Sequence, residues 1–145
     1  MQIPGHLAVA LAEHSLPPFR QQSDRSLLFL LVASLFPDIV DKSVGYIFHV
    51  MPNGRHYAHN IFSLVGLSLL VRLIWGRTAG YAWFFGYAGH LLADSDSMVP
   101  WFFPLKNYPF KRGRLTFEKT QLIRESIVLL LILIFRQKKH LDKKY

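Results

Sequence analysis

Apolar segments of 10 to 15 residues dominate this chain, and their length restricts what it can fold into. They cover residues 26–36, 61–75, 80–93 and 126–135. Each falls below the roughly 18 to 20 residues that cross a bilayer, and each has the length of a helix in a compact bundle. Within 145 residues the chain has room for one core. The sequence predicts an all-α fold, an up-and-down bundle of about five helices.

Prolines and glycines set the predicted helix ends. Pro4 suits a first helical turn, whereas Pro37 is expected to stop the second helix because proline has no N–H to donate. Gly76 is expected to end the third helix and Thr78 to cap the fourth. The predicted helices start near residues 4, 24, 57, 79 and 116 and end near residues 16, 36, 75, 94 and 136. A single domain over residues 1–136 and a basic tail over residues 137–145 follow.

The fourth predicted helix carries three glycines in its interior. Glycine there costs about 1 kcal/mol relative to alanine. Its repeated use therefore indicates close approach of neighbouring helices, with loose packing against aromatic side chains as the alternative. The three positions are Gly80, Gly86 and Gly89.

Six histidines and aspartates share a placement near one end of an apolar helical segment. In an antiparallel bundle, the start of helix one, the end of helix two, the start of helix three and the end of helix four lie on one face. Bundle cores are where metal sites are built from facing helices. The candidate metal ligands are His6, Asp38, Asp41, His59, His90 and Asp94.

The pair His90 and Asp94 is the most specific local pattern. Their i,i+4 spacing puts both on one helical face, and the surrounding GYAGHLLA makes an unpaired carboxylate costly to bury. A surface hydrogen bond is the alternative for this pair, and a solvated turn is the alternative for Asp38 and Asp41.

The chain has no cysteine, so a metal would be held by nitrogen and oxygen. Such ligands suit zinc first, with iron or manganese as alternatives, as one ion or two. Arg55 offers a planar fork suited to phosphate or carboxylate, with a solvated or salt-bridged side chain as the alternative. His56, expected on the same helix as His59, and Asp96 are candidates for proton transfer.

A net charge of +8 implies an anionic partner. An anionic bilayer surface and a phosphorylated or ester substrate are the leading candidates. Aromatic and basic residues alternate over residues 101–114, as in segments at the lipid headgroup level. Nucleic acid ranks last because no predicted helix presents a basic recognition face.

Four ordered motifs and a short loop carry a resemblance to a known family. GHLAVALAEH, LFPDIVDK, GRHYAHNIFS and GYAGHLLADSDS, followed by WFFPL, resemble the membrane-bound metal-dependent hydrolases described as LexA-binding and inner-membrane-associated. The match runs from His6 to about Leu105. It differs at Gly54, where many members carry histidine, and at Val40, where many carry an acid. The resemblance implies metal-site roles for His6, Asp38, His59, His90 and Asp94, with Arg55 beside them.

Together these observations predict a membrane-associated metal-dependent hydrolase at the cytoplasmic membrane. It would act on a phosphoester or lipid-like substrate through a metal-activated water. The alternative is a non-catalytic membrane module that holds a structural metal and binds a regulatory protein.

Overall fold

The computed structural model describes residues 1–16, 19, 24–96 and 98–141, which form five α-helices and one short π-helix, Ser43–Ile47, joined by irregular segments. The predicted all-α bundle is confirmed. Most of the predicted connection between the first two helices, namely residues 17, 18 and 20–23, and the last residues of the basic tail lie outside the described residues. The helices are α1 (Ile3–His14), α2 (Asp24–Lys42), α3 (Ile61–Trp75), α4 (Arg77–Ala93) and α5 (Lys119–Leu141).

Helix α4 is the centre of the bundle because it packs on α1, α2 and α3. Its glycines lie at these three contacts. A Cβ on Gly86 would lie 2.2 Å from the Leu30 carbonyl oxygen of α2, and one on Gly89 would lie 2.2 Å from Glu13 Oε1 of α1. One on Gly80 would lie 2.4 Å from Arg72 Cβ of α3. The predicted close approach is confirmed.

The prediction that Pro37 ends the second helix is wrong. Helix α2 continues for five residues beyond it, to Lys42. Pro37 offers no N–H to the Ala33 carbonyl, and the next carbonyl, that of Ser34, accepts a hydrogen bond from the His90 ring at 2.6 Å. Helix α2 continues through the proline, and the His90 bond ties this turn to α4. As a result, Asp38 and Asp41 lie in a rigid helical turn rather than in a loop.

The predicted start of the third helix near residue 57 is also wrong. Helix α3 begins at Ile61, and the Asn60 side chain caps it by accepting from the Ser63 N–H at 2.9 Å. His56 and His59 therefore do not share a helical face. They lie in an irregular segment that Tyr87 anchors through its hydroxyl, which donates to the Ala58 carbonyl at 2.6 Å.

The turn between α3 and α4 is tighter than predicted. Gly76 ends α3 with φ of 91°, a conformation that favours glycine, and it directly precedes α4. Thr78, the expected cap, lies inside the first turn of α4, so that prediction is wrong. The expected end of α3 at Gly76 is confirmed.

Helix α5 packs on α1 through a buried carboxylate. Glu125 accepts hydrogen bonds from the backbone N–H groups of Gln2, at 3.0 and 3.1 Å, and of Gly5, at 3.0 Å. The Gln2 side chain provides no cap for α1, so Glu125 satisfies these N–H groups from another helix. Glu125 thereby fixes the first turn of α1, which carries His6.

The outer surface of the bundle is strongly apolar. Leu73 at the end of α3 is 83% exposed and Phe135 of α5 is 69% exposed.

Helix α5 starts at Lys119 rather than near residue 116 and continues through Leu141, past the predicted end at residue 136. Within the described ranges, no helix combines the length and the apolar character needed to cross a membrane.

Replacing Gly86 by alanine tests the close packing of α4. The new Cβ would meet the backbone of Leu30, which cannot move aside as a flexible side chain can. We expect Gly86→Ala to lower the free energy of unfolding by about 1–3 kcal/mol or more, as overpacked cores do. Thermal and denaturant unfolding of the detergent-solubilised protein would measure it.

Gly66→Ala is the matched control. Gly66 lies exposed in the interior of α3, and a Cβ there meets nothing within 4 Å among the described residues. This variant should gain about 0.5–1 kcal/mol from helix propensity. Equal effects of the two substitutions would contradict the close contact between α2 and α4.

A candidate metal centre at one end of the bundle

Four buried side chains converge at one end of the bundle, each from a different part of the chain. Asp38 comes from α2, His59 from the segment before α3, His90 from α4, and Asp94 directly follows α4. Each offers a ligand atom, and these atoms lie within 4.8 Å of one another. The structure thus brings together four of the six predicted ligands in one compact group.

His6 of α1 lies beside this group. Its Nε2 atom is 3.5 Å from Asp94 Oδ1 and 3.8 Å from Asp38 Oδ2. Its ring stacks on that of His90, with centroids 3.8 Å apart. Burial lowers the pKa of His6, which favours the neutral form that binds metals.

Hydrogen bonds to the far side of two rings fix their tautomers. His90 Nδ1 lies 2.6 Å from the Ser34 carbonyl, which can only accept, so Nδ1 carries the proton. His59 Nδ1 lies 2.8 Å from Asp41 Oδ2 and donates to that carboxylate. In both rings Nε2 is left to face the centre of the group. Metal-binding histidines are commonly oriented in this way.

The two Nε2 atoms face each other at 3.2 Å. Burial, with the neighbouring His6 and His59, lowers the pKa of His90 to about 2, so its Nε2 presents a lone pair. Two lone pairs at this separation repel unless a proton or a metal ion lies between them. The carboxylates of Asp38 and Asp94 beside them favour a divalent cation.

Buried ligand atoms without a partner fit the same interpretation. Asp38 Oδ1 and both ring nitrogens of His6 find no hydrogen-bond partner among the residues that the structure describes. Asp38 Oδ1 lies 3.7 Å from His59 Nε2 and 4.0 Å from His90 Nε2. Such groups are costly to bury unpaired. The residues present therefore fit a bound cation.

Asp41, predicted as a ligand, lies behind His59 rather than in the central group. It accepts from the backbone N–H groups of His56 at 2.6 Å, Ala58 at 2.9 Å and His59 at 3.1 Å. Burial acts to raise the pKa of Asp41, but hydrogen bonding to His59 and these N–H groups holds it below its usual range. An ionised Asp41 orients the His59 ring and shapes the segment around it.

Three cations pair with the two central carboxylates. Arg55 Nη2 donates to Asp94 Oδ2 at 2.6 Å, the amino group of Met1 contacts Asp94 Oδ1, and Lys42 contacts Asp38 Oδ2. Burial acts to raise the pKa of Asp94, but the Met1 amino group and Arg55 hold it low. Sequence reasoning missed Lys42. Its i,i+4 spacing from Asp38 was a usable signal, hidden by the expected end of the helix at Pro37.

The two proton-transfer candidates occupy different surroundings. The His56 ring is fully buried among aromatic side chains, 4.4 Å from the Phe110 ring and 6.3 Å from that of Phe103. Burial lowers its pKa. Asp96 is exposed and lines a cavity that Asp38 and Arg55 also line. Of the two, only Asp96 lines this cavity.

This cavity has a volume of about 900 Å³ and adjoins the candidate metal centre. Asp38 belongs to both, because it lines the cavity wall and contributes to the central group. Basic side chains outnumber acidic ones along its lining, and the basic set comprises Lys42, Arg55, Lys111, Arg112 and Arg114. The cavity therefore combines positive charge with access to Asp38.

Comparison with known proteins places the chain in a family. No curated protein and no solved structure matches it. A family model described as YdjM inner membrane protein matches residues 1–142, nearly the whole chain. That description names a membrane location and no reaction. The chain therefore belongs to the YdjM inner membrane protein family, a family of membrane-associated proteins.

Proposed function

We propose that this protein is a membrane-associated hydrolase that uses a divalent metal ion to cleave a phosphoester. The observation that carries the proposal is the 3.2 Å approach of His59 Nε2 to His90 Nε2, with both Nδ1 atoms held by acceptors. Zinc is the first candidate for such nitrogen and oxygen ligands, with iron or manganese as alternatives and one or two ions as possible stoichiometries.

Four residues would hold the ion, namely Asp38, His59, His90 and Asp94, with His6 adjacent. When bound there, a divalent cation supplies Lewis-acid activation of a water molecule and of a phosphoryl oxygen. Burial lowers the pKa of His6 and of His90, which favours their neutral forms, and the bonds at Nδ1 aim the Nε2 atoms of His59 and His90 inward. Asp41 holds the ring of His59 in place.

Arg55 is proposed to bind the phosphate. Arg55 donates to Asp94 through Nη2, and a guanidinium carries five N–H donors in a rigid fork. Arg55 is partly exposed and lines the cavity. Arg55 can therefore contact Asp94 and an anion in the cavity at the same time. In this position it would stabilise the negative charge that develops in the transition state. Asp96, which also lines the cavity, is the proposed group for proton transfer.

The open cavity supports a hydrolase over a non-catalytic module. Structural metal sites are typically closed by four protein ligands, whereas catalytic sites keep a position open to solvent or substrate. Here Asp38 connects the candidate centre to a basic cavity of about 900 Å³. A module that only binds a regulatory protein would not need a cationic approach to its metal.

The cytoplasmic membrane is the proposed location. Exposed apolar side chains on α3 and α5 fit contact with lipid, and the aromatic and basic residues of 101–114 fit an anionic headgroup region. Lys111, Arg112 and Arg114 belong both to this segment and to the cavity. Substrate would thus reach the site from the bilayer surface.

Metal analysis of ligand variants tests the centre. We expect wild-type protein purified without chelators to carry zinc, iron or manganese, and His90→Ala and Asp94→Ala to lose most of it because each removes a ligand. Elemental analysis per mole of folded protein is the measurement. His49→Asn is the control, since His49 is exposed and asparagine tolerates its φ of 53°. A metal-free wild type that takes up none of these ions would refute the proposal.

Substitution of Asp41 tests the orientation of His59. Asp41→Asn retains the shape but replaces a carboxylate oxygen by an N–H₂ group that cannot accept from the surrounding donors. We expect the metal affinity to fall about 10- to 100-fold, the usual cost of losing such a supporting contact. Competition with a fluorescent chelator measures the affinity, and circular dichroism checks the fold. A folded variant with unchanged affinity would show that Asp41 does not support the ligand.

Removal of Arg55 tests the reaction. Arg55→Ala should keep its metal and lower turnover of a phosphoester by roughly 10²- to 10³-fold, as loss of a charge-stabilising donor does. Release of product from phosphomonoesters, phosphodiesters and phospholipids is followed with metal-loaded protein. Arg77→Ala, at the far end of α4, should retain turnover. Wild-type activity no higher than that of Asp94→Ala would favour the non-catalytic alternative.

A further inference from the structure

The cavity beside the candidate metal centre combines cations with exposed apolar side chains. Ile39 and Ile47 are 61% and 68% exposed, and Leu115 and Phe117 are 49% and 66% exposed. All four line the cavity together with the basic residues. Large apolar side chains clustered at an opening commonly mark a binding surface, and a small hydrophilic phosphate would leave these uncovered.

Hydrogen bonds to the backbone of Lys111 and Gly113 hold the basic wall of the cavity, residues 111–114, in place. The Gly113 N–H donates to the Pro52 carbonyl at 2.9 Å, and Asn53 Nδ2 donates to the Lys111 carbonyl at 3.2 Å. A Cβ on Gly113 would lie 3.0 Å from the Tyr46 hydroxyl, so the two segments are in close contact. Contacts with residues 46, 52 and 53 thus hold residues 111–114 in place along the cavity.

A second cavity continues from this wall. It has a volume of about 910 Å³ and shares Tyr46, Ile47 and residues 112–115 with the first. Val50 and Met51 line it as well. The two cavities therefore adjoin, and Ile47 and Leu115 present apolar surface to both.

We propose that the two cavities together bind a phosphate ester that carries an apolar chain, with the phosphate at Arg55 and Lys42 and the chain along Ile47 and Leu115. This inference rests on the proposed function and names its substrate class. Charge complementarity selects the phosphate, and the exposed apolar wall selects the chain. Hydrolysis of a monoester would join the water oxygen to phosphorus and break the bond from phosphorus to the alcohol oxygen, which takes up a proton as it leaves.

Binding of alkylphosphonates separates this inference from the reaction, because their carbon–phosphorus bond is not cleaved by hydrolysis of an ester. The metal-loaded full chain in phospholipid nanodiscs is titrated calorimetrically with ethylphosphonate and hexylphosphonate, with empty nanodiscs as the blank. Burial of the four additional methylene groups should tighten binding of the hexyl compound by up to roughly 10²-fold. Equal dissociation constants for the two compounds would overturn the inference and identify a site for free phosphate groups.

A matched pair of leucine variants tests where the apolar chain of the ligand lies. Leu115→Ser should reduce the ratio of the two dissociation constants several-fold, whereas Leu73→Ser, on the outer end of α3 and 83% exposed, should leave it unchanged. A ratio that falls equally in both variants, or in neither, would assign the chain effect to the bilayer and overturn the proposed path.

Hydrolysis of substrates with a common headgroup completes the test. Phosphate release from glycerol 3-phosphate and from lysophosphatidate is compared as kcat/KM, and the acyl chain should raise kcat/KM by 10-fold or more. Equal values for the two substrates would overturn the chain-binding inference while the proposed function stands. Chain-dependent phosphonate binding without release of phosphate from either compound would leave the chain site in place and count against phosphomonoester hydrolysis.

Discussion

Three buried carboxylates at one end of the bundle determine how the surrounding chain is arranged. An ionised carboxylate away from water is costly unless hydrogen bonds or cations compensate it. Asp41 is compensated by backbone N–H groups and the His59 ring, which forces residues 56–59 to wrap around the end of α2. Asp38 and Asp94 draw in Lys42 and Arg55. The shape of the site thus follows from the charges it must bury.

The central helix is closely packed, whereas the outer surface leaves apolar side chains exposed. Helix α4 gives up side chains at Gly80, Gly86 and Gly89 so that three neighbours approach closely, and this positions His90 against α1 and α2. The outer faces of α3 and α5 leave large apolar side chains exposed. The chain belongs to an inner membrane protein family, and the proposed contact with lipid would cover these side chains. A closely packed interior therefore fixes the site, while the exterior leaves an apolar surface uncovered.

The fold and the grouping of site residues could be predicted from the sequence because both depend on local patterns. Apolar segment lengths predicted the helices, and alternating helix ends brought His6, Asp38, His59, His90 and Asp94 together. The errors occurred where tertiary contacts replace local rules. Helix α2 continues through Pro37, where it packs against α4. Helix α3 starts late because Asp41 accepts hydrogen bonds from the backbone N–H groups of residues 56, 58 and 59. The supporting role of Asp41 depends on backbone N–H groups that no sequence pattern displays.

The charges of the site connect the candidate metal centre to the proposed substrate. On the proposed function, the carboxylates of Asp38 and Asp94 would balance a divalent ion, and Lys42 and Arg55, which pair with them in the structure, would balance a phosphate dianion in the cavity. Asp38 Oδ1 faces the histidines while Oδ2 contacts Lys42, so this one carboxylate lies between the proposed ion and the proposed phosphate. A bound ion would weaken the attraction of each carboxylate for Lys42 or Arg55 and leave these cations to pair with phosphate. The proposal therefore requires that the ion and the phosphate favour each other's binding.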